Sequence, residues 1–233
     1  MSKSEAEQKF EKYREYLLRE AERLISYIYV YKRIHERQKD RLEIINISPA
    51  FFQTVIDSLF SVIVIWVDKL FCEKSERGLL NFLTFCEHNR KIFEISELKR
   101  RRNYTDGHWM LNREQITYKS IQEDKQRLKD VESLPSFKLR RDKFHAHFDK
   151  AYFFDRKKLG EDAPLKWKDL DQIIEIMKDI INGYSASYDG NVHVLKPINI
   201  NDLDNTLDLV YRLKKKRQLT KISIGQLNSS ASR

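Results

Sequence analysis

The chain has 233 residues and a mass of 28.1 kDa, enough for one large or two small domains with a sizeable core. Average usage at this length would give roughly 16 glycines and about 12 prolines, whereas the sequence has 6 and 4, which argues against turn-rich sandwiches, barrels and disordered linkers. With 34% charged and 41% hydrophobic residues it suits a helical protein, and a net charge of +9 with a pI near 9.3 points to a polyanionic partner.

The first predicted element is a long helix over about 4–44. Phe10, Tyr13, Leu17, Ala21, Leu24, Ile28 and Tyr31 recur at spacings of three and four and form one apolar stripe. Ser48-Pro49 marks the break, with Pro49 suited to the first turn of the next helix. That second helix carries Phe51, Val55, Leu59, Ile63, Trp66 and Leu70 together with Phe52, Ile56, Phe60, Val67 and Phe71, so it is apolar around most of its circumference and is expected to be the central core helix. Its thin polar stripe, Gln53, Asp57, Ser61 and Asp68, reads most simply as a face turned to solvent or to a neighbour's polar groups.

A third helix is expected over about 78–95, with Leu79, Phe82, Leu83, Cys86 and Phe93 inward, followed by a basic loop and turn over 96–111. Asn112 and Gln115 have the spacing of a capping box for a charged helix to about 132, ended by Leu134-Pro135-Ser136. Ser136 is then placed to cap a short helix through His147, and 148–165, with Gly160 and Pro164, reads as irregular. An isoleucine-rich helix over about 169–187 precedes a last helix that Asp202 caps and that Leu203, Leu207, Val210 and Leu213 bury. The expected organisation is one all-α domain over 1–220, with a long N-terminal helix within 1–47, a basic peripheral insertion at 96–111 and a polar tail at 221–233.

The opening MSKSEAEQKF lacks the apolar core of a secretory signal. Between Asp57 and Asp68 lie ten uncharged residues, where a membrane span needs about 20. Cys72 and Cys86 sit in apolar helical patterns without zinc spacing, as small buried thiols would. These features predict a cytoplasmic protein that does not engage a membrane.

The positive charge is local. Lys99-Arg100-Arg101-Arg102 and Lys214-Lys215-Lys216-Arg217 supply eight positive charges, so the rest of the chain carries only +1. Such runs either grip a phosphate backbone or form solvated helix ends. A third patch, LRRDKFHAHFDK at 139–150, combines basic side chains with two histidines and two aspartates. Histidine moves protons near neutral pH, and arginine offers a planar fork matched to phosphate. These are the groups that metal-independent RNA cleavage needs: one moves protons at the 2′-hydroxyl and leaving oxygen, the other neutralises phosphate charge.

This segment resembles the R-x4-6-H signature of the HEPN superfamily, and more narrowly the LRDK-x-x-AH-x-D pattern of AbiU-like abortive-infection HEPN proteins. The apolar helix ending WVDKLF at Trp66 to Phe71, and Trp167-Lys168-Asp169-Leu170 opening the isoleucine-rich helix, are similar to that branch as well. The resemblance implies an all-α HEPN-like helical bundle and a metal-independent endoribonuclease of anti-phage or toxin-antitoxin defence, with Arg141 and His147 as the catalytic pair in a dimer cleft. A non-catalytic RNA-binding or protein-binding HEPN module is the alternative. The implied partners are RNA, a second copy of the chain, and an antitoxin or another defence protein; no metal and no cofactor is implied.

In a regular helix Arg141 and His147 diverge by about 120°, whereas Arg141 and His145 share a face. A break near Ala146, or a site shared across a two-fold axis, would reconcile the family pair with that geometry. Asp142, His145 and Asp149 are the supporting candidates, and Asp142 stands where this branch more often has asparagine. Lys99, Arg100, Arg101, Arg102, Lys138, Arg140 and Lys143 are the candidate RNA grips. His145, His147 and Asp149 match H-x-H-x-D, but that spacing aligns ligands on a strand rather than on the predicted helix.

Overall fold

The structure, a computed structural model, describes residues 3–145, 149–198 and 201–230, with side chains left out at 144, 145, 153, 156 and from 219 onward. Among the described residues every regular element is helical, so the fold is all-α, as an HEPN-like bundle requires. The eleven α-helices among those residues are α1 (Glu5–Arg37), α2 (Leu42–Ile45), α3 (Pro49–Phe71), α4 (Leu79–His88), α5 (Ile95–Arg102) and α6 (Tyr118–Lys129), then α7 (Leu134–Arg140), α8 (Lys150–Phe154), α9 (Arg156–Asp162), α10 (Trp167–Asp189) and α11 (Asp202–Ser230). The chain forms two compact units, one of Met1–Ile25 with Ser61–Lys196, the other of Ser26–Phe60 with Pro197–Arg233.

The first unit is built on aromatic packing. Phe10, on the predicted stripe of α1, lies 5.8 Å from Phe82, 5.2 Å from Phe93 and 4.5 Å from Tyr188, ring centre to ring centre. Tyr184 closes the cluster at 5.5 Å from Phe82 and 5.7 Å from Phe93, and its hydroxyl donates to Asp124 at 3.0 Å. Burial of each such ring contributes about 1.5–3 kcal/mol, and edge-to-face pairs add about 0.5–1.5 kcal/mol. This cluster ties α1, α4 and α10 together.

The second unit is held by charge as much as by apolar area. Ile44, Ile45 and Leu207 are its buried cluster, with Phe52, Leu203, Val210 and Tyr211 against them. Arg33 and Arg37 both bond Asp204, at 2.6 Å each, and Arg41 reaches Asp208 at 3.0 Å. Lys214, from the second basic run, bonds Glu43 at 3.0 Å.

The elements depart from the sequence reading at several places, each for a local reason. The first helix ends at Arg37 because 35–41 contains no apolar residue, and a separate turn, α2, begins only where Leu42, Ile44 and Ile45 can pack. The third helix stops at His88: Asn89 leaves helical geometry and its side-chain amide bonds the carbonyl of Phe85 at 2.9 Å. The expected capping box at Asn112 is instead made by Thr117 and Ser120, each accepting from the other's backbone N–H. The expected irregular segment after 148 contains α8 and α9, opened by Asp149 and Asp155 as N-caps. The polar tail after Thr220 continues α11 to Ser230.

The basic loop expected at 96–111 is largely helix. Lys99, Arg100, Arg101 and Arg102 form the last turn of α5, where positive charge complements the helix dipole, and Asn103 supplies the left-handed cap at φ 52°. Helix α3 was expected to be buried along its length, but Phe51 is 62% exposed while Ile63, Val64 and Val67 are fully buried. By length and composition α3 is apolar enough to cross a membrane, with mean hydropathy 1.9 and 22% of that window buried, so the ten-residue argument from Asp57 and Asp68 underestimated its apolar span. A core helix passes the same test, and the C-terminal half of α3 is committed to protein contacts: Trp66 donates to Glu20 at 3.1 Å, and Asp68 pairs with Arg141.

Candidate functional site

Helix α7 begins with Pro135 in its first turn, where the missing N–H costs nothing, and is anchored by fully buried Phe137. At Arg141 the α-helix widens into a π-helical turn over Arg141–His145. Such turns are uncommon and frequent at functional sites. The regular-helix premise behind the expected 120° divergence of Arg141 and His147 therefore fails at Arg141 itself. His147 lies outside the described residues, as does the side chain of His145.

Arg141 is three-quarters buried and held by two carboxylates. One guanidinium nitrogen pairs with Asp68, while Nε and a second terminal nitrogen take Asp142 at 2.7 and 2.5 Å. Partial burial disfavours the cation, but the bonds to Asp68 and Asp142 outweigh it, so the Arg141 pKa moves up and the group is a fixed positive charge. Asp68 comes from α3, 73 positions away, and is itself mostly buried. It belongs to the polar stripe expected to face solvent or a neighbour's polar groups, and Arg141 is that neighbour; the signal that singles it out is a lone carboxylate in the WVDKLF turn.

Asp149 bonds back to the π turn. Its backbone N–H donates to the carbonyl of Lys143 at 3.0 Å, its carboxylate accepts from Lys143 Nζ at 3.0 Å, and it caps α8 through the Ala151 N–H. Those bonds hold its carboxyl below the usual range, Lys143 being the larger influence, and raise the Lys143 pKa in return. Lys143 is thus paired within the chain. Arg140 donates to the carbonyl of Ala163 at 2.8 Å, and Lys138 is exposed.

The run at 99–102 meets its own chain. Ser4 and Glu7 form a reciprocal cap at the start of α1, which fixes the buried Glu7 carboxylate where Arg100 reaches it at 2.5 Å and Arg101 at 2.8 Å. Burial pushes the Glu7 carboxyl up, but Arg101, Ser4 and the remaining charge outweigh that and hold it at about 2. Arg101 also donates to the carbonyls of Tyr188 and Ile92 and lies 4.1 Å from the Tyr188 ring centre. Lys99 pairs with Asp106, and Arg102 bonds the carbonyl of Asp189 and the side-chain oxygen of Asn191. Three of these four expected grips are neutralised by acids of the chain itself.

Among the described residues no three His, Cys, Asp or Glu side chains are placed to hold a metal ion; the H-x-H-x-D candidate falls partly outside them. The Cys86 thiol is buried, and burial pushes its pKa up, which leaves it a poor nucleophile.

No curated protein and no solved structure matches the chain significantly. The family model HEPN_AbiU2, described as AbiU2, matches residues 7–209, most of both units and the whole candidate site. The chain therefore belongs to the AbiU2 family of HEPN proteins, an abortive-infection-related group.

Proposed function

We propose that the chain is a metal-independent endoribonuclease acting as a homodimer in anti-phage defence, with Arg141 and His147 as the catalytic pair. In this reading His147 removes the proton of a ribose 2′-hydroxyl, whose oxygen attacks the adjacent phosphorus. The 5′-oxygen of the next nucleotide leaves, taking a proton from a histidine acting as general acid, and a 2′,3′-cyclic phosphate remains. Arg141 neutralises the charge that builds on the phosphoryl oxygens, a role suited to a cation with one orientation.

The observation that carries this reading is the setting of Arg141: an arginine opening the R-x4-6-H segment, on a π-helical turn, with its guanidinium fixed by Asp68 from a second helix. The preference is for single-stranded or looped RNA, where the 2′-hydroxyl is free to align for attack. Purified protein in EDTA is expected to cleave RNA, and Arg141→Ala or His147→Ala to abolish cleavage while the dimer persists. Cleavage that survives the double substitution contradicts the assignment.

Asp142 favours a second reading, a non-catalytic RNA-binding or partner-binding module. Its carboxylate occupies two nitrogens of Arg141 that a phosphate would otherwise take. Growth inhibition on expression, relieved by His147→Ala, separates a toxic nuclease from such a module.

A further inference from the structure

Beside the basic turn of α5 lies a stack of rings that the Arg141 site does not use. Gly107, at φ +85°, turns the chain so that His108 returns over Tyr104, with ring centres 3.9 Å apart and planes 6° from parallel. His108 Nδ1 accepts the Met110 N–H at 3.2 Å, which fixes that ring's orientation. Tyr104 is seated on the cap of α10: a Cβ built on Gly190 would stand 3.0 Å from its hydroxyl, a tight contact, and the φ of +75° at that position favours glycine. Trp109 continues the stack outward, 6.0 Å from His108 and 26° from parallel, and is 72% exposed.

A large ring held by two locked rings behind it and open in front is a pre-organised stacking face. A cation shares the turn on which the stack is seated. Arg102 bonds the Asp189 carbonyl and the Asn191 side chain, the two neighbours of Gly190, so its guanidinium and the Tyr104 ring meet the same turn. Both acceptors of Arg102 are neutral, whereas Arg100 and Arg101 share Glu7 and Lys99 has Asp106. An exposed indole at the front of the stack, with a cation that neutral groups orient at its base, suits an unpaired nucleobase and a phosphate of the same strand.

We propose that Trp109, backed by His108 and Tyr104, with Arg102 on the turn that seats Tyr104, is a stacking site for an unpaired base of a single-stranded nucleic acid. The proposal rests on reading the chain as one that handles RNA, and it requires nothing of His147. Stacking is sequence-tolerant because every base presents a π face, so the site would hold a strand rather than choose its sequence.

The test is equilibrium binding of a fluorescein-labelled 12-nucleotide single strand, measured by anisotropy on the full chain carrying Arg141→Ala to prevent cleavage. Trp109→Ala is expected to weaken binding by about 5- to 150-fold per stacked base. Trp109→Phe is expected to retain most of the affinity while losing the quenching of indole fluorescence that the oligonucleotide causes. An abasic strand of the same length should bind the Trp109 chain as weakly as the normal strand binds Trp109→Ala, and a DNA strand run alongside shows whether the 2′-hydroxyl contributes. Unchanged affinity in Trp109→Ala, or equal binding of abasic and normal strands, overturns the proposal. Cleavage of RNA by the wild-type chain with Trp109→Ala binding normally would overturn this inference alone; weakened binding with cleavage surviving in Arg141→Ala would overturn the catalytic assignment alone.

Discussion

Arg101 and Arg141 sit in similar basic tetrapeptides and have opposite settings. Arg101 is 10% exposed at its side chain and spends its guanidinium on Glu7, the more distant Glu97, two backbone carbonyls and a tyrosine face, all within its own unit. Arg141 is 25% exposed, bonds carboxylates alone among the described residues, and opens a π-helical turn rather than closing an α-helix. The difference teaches that a run of arginines says little about its partner until the acceptors are known. At Arg101 near-complete burial and the mixture of acceptors tie the side chain into the fold, whereas at Arg141 two carboxylates fix the guanidinium while a quarter of the side chain stays exposed.

The sharpest way to break this comparison is Arg101→Ala. It leaves Glu7 buried without its main partner and strands two carbonyls, so a loss of about 3–5 kcal/mol of stability is expected in urea unfolding. A loss below 1 kcal/mol would place Arg101 with the surface grips.

Glu7→Gln tests the other half of the pair. The folded Glu7 pKa is depressed to about 2 from an ordinary value of 4.5, so its contribution is full above about pH 4.5 and is lost as pH falls toward 2. At neutral pH the variant should be less stable by about 3 kcal/mol, and the gap should close in acid. A gap independent of pH contradicts the ion-pair account.

Smaller effects are expected at the carboxylates of Arg141, and they should differ in sign. Asp68→Asn removes the partner from α3 and should slow cleavage by up to about 100-fold through misplacement of the guanidinium. Asp142→Asn leaves Asp68 in place and removes a charge that opposes phosphate, so KM for RNA should fall a few-fold. If both substitutions slow cleavage equally, Asp142 holds Arg141 rather than screening it.

How much of this was legible in the sequence divides along physical lines. The α1 stripe was, because Phe10, Leu17, Ala21, Leu24 and Ile28 follow one helical period and are all buried. The inward face of α4 was as well. Helix ends were read less accurately beyond the start of α1: the Thr117/Ser120 and Asp155 caps depend on single polar side chains. Lys99–Arg102 was read as a loop because its charges masked a buried residue, Leu98, one position earlier.

Among the described residues of the candidate site, Arg141, Asp142, Lys143 and Asp149 stand out in the sequence by residue type and spacing. The site was not legible at Asp68, because no local pattern reports a pairing across 73 positions. The π-helical turn was equally hidden, since no residue pattern in RDKFH marks one.

The most direct test of the central claim measures RNA cleavage in EDTA and unfolding free energy side by side for Arg141→Ala and Arg101→Ala. The account predicts that Arg141→Ala stays folded and loses cleavage, while Arg101→Ala loses stability and, at temperatures where it remains folded, still cleaves. An Arg141→Ala chain that cleaves at the wild-type rate would contradict it.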